Sequence, residues 1–195
     1  LPIDSKRITV YNKGREIKAE MKGNMKWINI PNMNREQHTF IQHIVQNYKN
    51  LADITLFLQA DISDHIGVKE NTMRILSQPL SSSHGIFGEQ IYSDNLGCPN
   101  HCGLAVEAMC RVVGFSNRCH PPFQFSVGGM FYASKNAIRQ HELRKYVKME
   151  KMITKEARYT RRENLVGFVF ERLWMTILNA SWSSVKAKEQ LEGEI

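Results

Sequence analysis

"ITLFLQADISDH", residues 54–65, is the stretch on which the fold turns. Ile54, Leu56, Phe57 and Leu58 form an apolar run, and the chain then breaks abruptly into Gln59, Asp61, Asp64 and His65. An apolar run of this length reads as a buried strand over 53–59. Just upstream, "NREQHTFIQHIVQNYKN" (34–50) brings Phe40, Ile41, Ile44, Val45 and Tyr48 onto one helical face, with Asn34 as N-cap and Gln37 three residues on. Earlier still, "RITVY" (7–11) alternates and is β-branched, and "MKWINI" (25–30) is a second strand stopped by Pro31. Strand, strand, helix, strand in this order predicts an α/β sheet covered by helices.

Downstream, residues 67–78 and 103–113 have helical spacing, the latter closed by Gly114. Between them lies a long polar loop, and the whole segment 81–120 has the length and glycine content of a lid or recognition segment. "FQFSVGGMFYAS" (123–134) reads as one strand interrupted by Gly128-Gly129, a pair that suggests a bulge or a close approach to the backbone. Ser134 is placed to cap the basic helix that follows. "ENLVGFVFERLWMTILNA" (163–180) is a strongly apolar helix with Leu165, Val169, Leu173 and Ile177 on one stripe. The expected organisation is a single domain over 1–184 and a charged, frayed tail over 185–195.

The length of 195 residues suits one domain, and no apolar run approaches the span of a bilayer. The chain begins at Leu1 rather than Met, as a processed or truncated chain would, so secretory lumen and cytoplasm both stay open as its location. The net charge of +7 is concentrated: residues 135–162 hold ten Lys or Arg against three Glu. That balance suits phosphates or an anionic surface, or it is a solvated helix face. No nucleic-acid motif accompanies it, which argues against a dedicated nucleic-acid module. Cys98, Cys102, Cys110 and Cys119 cluster beside His101 and His120. Disulfides, free thiols and zinc are all compatible with their spacing. Asn179 opens a glycosylation sequon that has meaning only in a secretory compartment.

Dinucleotide, Walker, nucleophile-elbow and zincin signatures are absent. Ser83-His84 is a poor nucleophile–base pair, because adjacent residues rarely reach that geometry. His38 and His43, five apart on the first helix, read as structural, and Phe170 with Trp174 reads as core. Ligands of open α/β sheets gather at the carboxyl ends of strands, so Asp61 and Asp64 stand where chemistry is expected. They are hard oxygen ligands suited to Mg²⁺ or Mn²⁺, or else an Asx-rich turn. Lys13, Arg15 and Arg35 lie where they could meet phosphates. Glu171, among Phe170, Leu173 and Trp174, is either a carboxylate whose pKa burial raises or one paired with a neighbouring Arg.

"VYNKG", "IPNMNREQHTFIQHIVQNYKNLADITLFLQAD", "FSVGGMFYASKNAI" and "ENLVGFVFERLW" together resemble a glycosyltransferase-like domain family with fungal, bacterial and viral members, over residues 7–178. More distantly the layout is similar to nucleotide-sugar transferases of the GT-A fold. The resemblance implies a single-domain, Rossmann-like mixed sheet flanked by helices, and transfer of a sugar from a nucleotide-sugar donor to a glycan or other acceptor hydroxyl with inversion. "LQAD" falls where GT-A enzymes carry Asp-x-Asp, with Asp61 matching the second Asp and Gln59 in place of the first. Asp61, assisted by Asp64 or His65, would hold Mn²⁺ or Mg²⁺. Val10, Tyr11 and Asn12 match the nucleotide-base position, and Gly128-Gly129 the pair near the transferred sugar. Glu163 matches the catalytic carboxylate, with Glu171 as its rival. The alternative function is a non-catalytic binding module whose basic helix docks on an anionic polymer, nucleic acid or acidic glycan.

Overall fold

The computed structural model describes residues 7–15, 23–33, 35–60, 70, 73–74, 77, 82–87, 91–93, 110–114, 123–125, 128–159 and 165–178. Asp61, Asp64, His65, Glu163, Cys98, Cys102, Cys119, Asn179 and the 185–195 tail lie outside these residues. The architecture is mixed α/β, as the element order predicts. In chain order the elements are β1 (Thr9–Asn12), β2 (Lys26–Asn29), α1 (Arg35–Asn47) with a 3-10 turn at Tyr48–Asn50, β3 (Ile54–Phe57), β4 (His84–Ile86), β5 (Ile91–Ser93), β6 (Phe123–Phe125), β7 (Phe131–Ser134), α2 (Lys135–Arg139), α3 (Leu143–Tyr159) and α4 (Leu165–Leu178).

The described strands form three small sheets: β1 and β2 parallel, β3-β7-β4 antiparallel, and β5 with β6 antiparallel. Three features depart from the sequence reading. The expected single mixed sheet is, among the described residues, three small ones. The stretch 123–134 is not one strand: Gly128-Gly129 separates β6 and β7, which belong to different sheets. The segment expected to be a lid contributes β4, locked to β7 with Gly85 opposite Tyr132, and the fully buried Phe87. A stretch tied into a sheet at that point is scaffold there rather than a free flap.

The centre of the fold is an aromatic stack. Register places Phe57 of β3 opposite Phe131 of β7, with ring centroids 4.6 Å apart. Trp174 of α4 covers Phe131 at 4.6 Å, and Phe40 of α1 meets Phe57 edge-on at 5.4 Å. Strand alternation sends Phe131 and Ala133 to this main core, while Met130 and Tyr132 turn to the other face and pack with Phe87, Leu56 and Leu58.

α4 carries more than the one predicted stripe: from Val166 to Leu178 every residue is buried except the half-buried Phe168. A helix apolar all round belongs inside. Its last carbonyls are satisfied from the break between α2 and α3. There Gln140 Nε2 donates to the carbonyls of Ile177 and Leu178, and His141 Nε2 lies 2.7 Å from the Ile177 oxygen. Ser134 caps α2 as expected, its Oγ accepting from Ala137 N at 3.0 Å. Gly114 (φ 90°) likewise occupies the left-handed position expected of it. No helix among the described residues is long and apolar enough to cross a membrane.

Phe131→Ala should cost about 3–5 kcal/mol in urea denaturation, the range for emptying a buried aromatic site. Ile54→Ala, at a position that is 37% exposed, should cost less than about 1 kcal/mol. Similar losses at the two positions would contradict this placement of the core.

Candidate active site

The turn between β6 and β7 is held from both sides. Gly128 and Gly129 have φ values of 82° and 58°, in the left-handed region that other residues seldom adopt. The Gly128 N–H donates to Glu171 Oε1 at 2.8 Å. A Cβ on Gly129 would fall inside van der Waals contact of Gln37 Nε2 and lie 3.0 Å from Glu171 Cγ. The glycine pair is therefore what allows α1 and α4 to bring polar side chains onto one stretch of backbone.

Gln37 is fully buried. The sequence suggests that it reaches back to cap α1, but its amide is used otherwise. Nε2 donates to Glu36 Oε1 at 3.0 Å, and Oε1 accepts from Trp174 Nε1–H. The aromatic core is thus wired directly to the polar cluster. Glu36, 3.7 Å from Arg35 Nε, is close enough to Glu171 for its charge to discourage ionisation there.

Glu171 is 6% exposed. Burial pushes its carboxyl up to about 7, with Glu36 acting in the same direction and Arg172, the Gly128 N–H and Arg35 opposing. Both sequence expectations for Glu171 therefore hold: it is buried with a raised pKa, and Arg172 stands beside it at 3.8 Å. Arg172 is buried too, with its guanidinium 4.3 Å from the Phe125 ring centre and its NH1 donating to the Phe168 carbonyl at 3.0 Å. A carboxyl that titrates near neutrality, fixed by one backbone donor, has the properties of a general base.

Cations close the other side. Lys13, just past the end of β1, donates its ammonium to the carbonyls of Met33 (2.9 Å) and Arg35. Burial lowers Lys13 to about 8, partly offset by Glu36. Arg35 has φ 54°, rare for a non-glycine residue, and its guanidinium lies 5.1 Å from the centre of the Phe168 ring. Strained backbone at the mouth of a buried polar cluster is typical of functional sites. His38, 4% exposed, is pushed down to about 4 by burial and by Lys13, and its Nδ1 has no hydrogen-bond partner among the described residues.

Of the residues singled out in the sequence, Lys13, Arg35, Gly128, Gly129 and Glu171 come together here. Val10, Tyr11 and Asn12 lead into the cluster but are engaged elsewhere. Val10 pairs with Trp27, the Tyr11 hydroxyl lies 2.9 Å from His43 Nδ1, and the Asn12 amide bonds to Asn29 and Arg15. Cys110 is held in a disulfide, which settles that thiol; its partner lies outside the described residues. The adjacent Ser83 and His84 do come within 3.0 Å of each other, at an exposed position in β4 and the residue before it. Among the described residues no three His, Cys, Asp or Glu side chains are grouped to hold a metal ion.

Glu36 and Gln37 are the members that sequence reasoning missed, and Arg172 was foreseen only as an unnamed Arg beside Glu171. The available signal was polarity on an apolar face: Gln37 precedes Phe40 by three residues and Ile41 by four, and Arg172 interrupts a buried helix. What the described residues define is a mixed α/β protein with a largely buried cluster of two carboxyls, Glu36 and Glu171, and three cations, Lys13, Arg35 and Arg172. Comparison of the chain with family models, with curated proteins and with solved structures finds no match.

Gly129→Ala should destabilise the protein by more than about 1 kcal/mol, since it combines a left-handed backbone with a collision at Gln37. Gly23→Ala is the control, because Gly23 has φ 53° but nothing within 4 Å of a Cβ, so only the backbone strain remains. Thermal unfolding should rank Gly129→Ala well below Gly23→Ala; equal shifts would mean that the turn is not gripped.

Proposed function

We propose that the protein is a glycosyltransferase that moves a sugar from a nucleotide-sugar donor to an acceptor hydroxyl with inversion, on a single-domain, GT-A-like scaffold. The observation that carries this reading is the meeting of Gly128-Gly129, Glu171, Lys13 and Arg35 in one cluster. These residues come from four separate parts of the chain: the family resemblance implies a place near the transferred sugar for Gly128-Gly129, and the residues themselves suggest phosphate contacts for Lys13 and Arg35 and a base for Glu171.

An inverting transfer needs one base at the acceptor hydroxyl and positive charge at the departing diphosphate. Glu171 serves as the base. Its raised pKa keeps it basic enough to take a proton, and the Gly128 N–H fixes which oxygen faces away from the acceptor. Arg172 on one side and Glu36 on the other set how readily it ionises. Lys13 and Arg35 balance the phosphate charge. Asp61, Asp64 and His65 would hold Mn²⁺ or Mg²⁺, which supplies further positive charge to the leaving group when bound. Glu163, beyond the described residues, is the competing base.

Titration calorimetry with UDP- and GDP-sugars, with and without Mn²⁺, tests the donor class, and failure of every common donor to bind at millimolar concentration would sink the reading. Glu171→Gln should lower kcat by about 10²–10⁴-fold with the donor KM nearly unchanged. The base works only when ionised, so wild-type kcat/KM should rise with pH and level off above about 7. A full rate in Glu171→Gln would pass the base to Glu163.

A further inference from the structure

The basic stretch noted in the sequence is not absorbed by the transfer site. In α3, Tyr146, Met149 and Ile153 are fully buried in the main core with Ile41 and Ile44 of α1. Arg144, Lys148, Lys151 and Lys155 are all exposed. Their spacing of four, three and four residues keeps them within about 60° of helical arc and spreads them over about 16 Å of axis. Arg144 is partly neutralised by Glu142 at 2.7 Å, and Lys145 is drawn aside to the Gly114 carbonyl at 3.3 Å. Lys148, Lys151 and Lys155 have neither an acidic partner nor a hydrogen bond among the described residues. The result is a narrow line of three uncompensated ammonium groups with a fourth cation at its end.

We infer that this line is a docking surface for a linear acidic glycan, separate from the transfer site. Charge complementarity calls for an extended polyanion, and the side chains on the stripe select among polyanions. Single-stranded nucleic-acid surfaces combine charge with aromatic platforms for the bases, and from Arg144 to Lys155 the described side chains of the stripe include none. Sequence readout of double-stranded nucleic acid relies on forked donors and amides at base edges, whereas three of the four groups here are lysines, compact point charges that suit the regularly spaced sulfates and carboxylates of a glycan. A helix lying on a membrane must offer its apolar face to lipid, and the apolar face of α3 is already spent on the core. A polymer held along α3 would keep the protein on an acidic matrix whatever reaction the cluster performs.

The test is retention on immobilised heparin as a function of salt, with single-stranded DNA of matched charge as a second probe. Lys148→Gln/Lys151→Gln/Lys155→Gln should elute at lower salt and reduce the slope of log affinity against log salt by about two to three. These lysines are exposed, so the triple variant should unfold at the wild-type temperature. The control removes three exposed cations elsewhere: Lys26→Gln/Lys49→Gln/Arg74→Gln. Its slope should stay near that of the wild type. Equal losses in both triples would reduce the effect to bulk charge and overturn the inference. DNA held more tightly than heparin would also overturn it, in favour of nucleic acid.

Discussion

Gln37 can press on Gly129 only because that residue carries no Cβ, and Gly128 turns its N–H to Glu171 through a left-handed backbone. Glu171 of α4 takes the Gly128 N–H, and Gln37 of α1 presses on Gly129. Any side chain at position 129 would push α1 and α4 apart, or tilt the turn away from Glu171. The turn also leads directly into the aromatic core. β7 begins two residues later with Phe131, the ring that joins Phe57 to Trp174. Trp174 in turn donates to Gln37, so the constraint closes on itself through the core.

The same closure explains why charged groups tolerate this position. Desolvating a carboxylate is costly unless it is hydrogen-bonded or paired. Glu171 answers with one backbone donor, one neighbouring guanidinium and a pKa moved towards neutrality. Lys13 answers with two backbone carbonyls. Each group is therefore held by something fixed in the backbone, which leaves little reorganisation for a reaction to perform. On the reading proposed above, that rigidity is the protein's contribution to the transfer.

Much of the framework was legible in the residues. The 3.6-residue period of Phe40, Ile41 and Ile44 located α1, Ser134 announced the α2 cap, and the stripe of Leu165, Val169, Leu173 and Ile177 announced α4. Glu171 stood out because a carboxylate among Phe170, Leu173 and Trp174 needs an explanation. The pairing of strands was not legible. Gly128-Gly129 looks like a bulge in one strand, since local pattern cannot report that Phe123–Phe125 and Phe131–Ser134 find partners in different sheets. Gln37 and Glu36 were hidden for a related reason: a polar residue near a helix start has a ready local role in capping. Only the tertiary approach of α4 reveals that they serve Trp174 and the turn instead.

The glycine turn and the two helices hold one carboxyl buried, with its pKa near neutrality. The most direct measurement is the carboxyl carbon shift of Glu171, followed by NMR through a pH titration and assigned with Glu171→Gln. A midpoint near 7 is expected, well above the ordinary glutamate value of 4.5. A midpoint at that ordinary value would mean that Glu171 is solvated, and the clamp that defines the site would not exist as described.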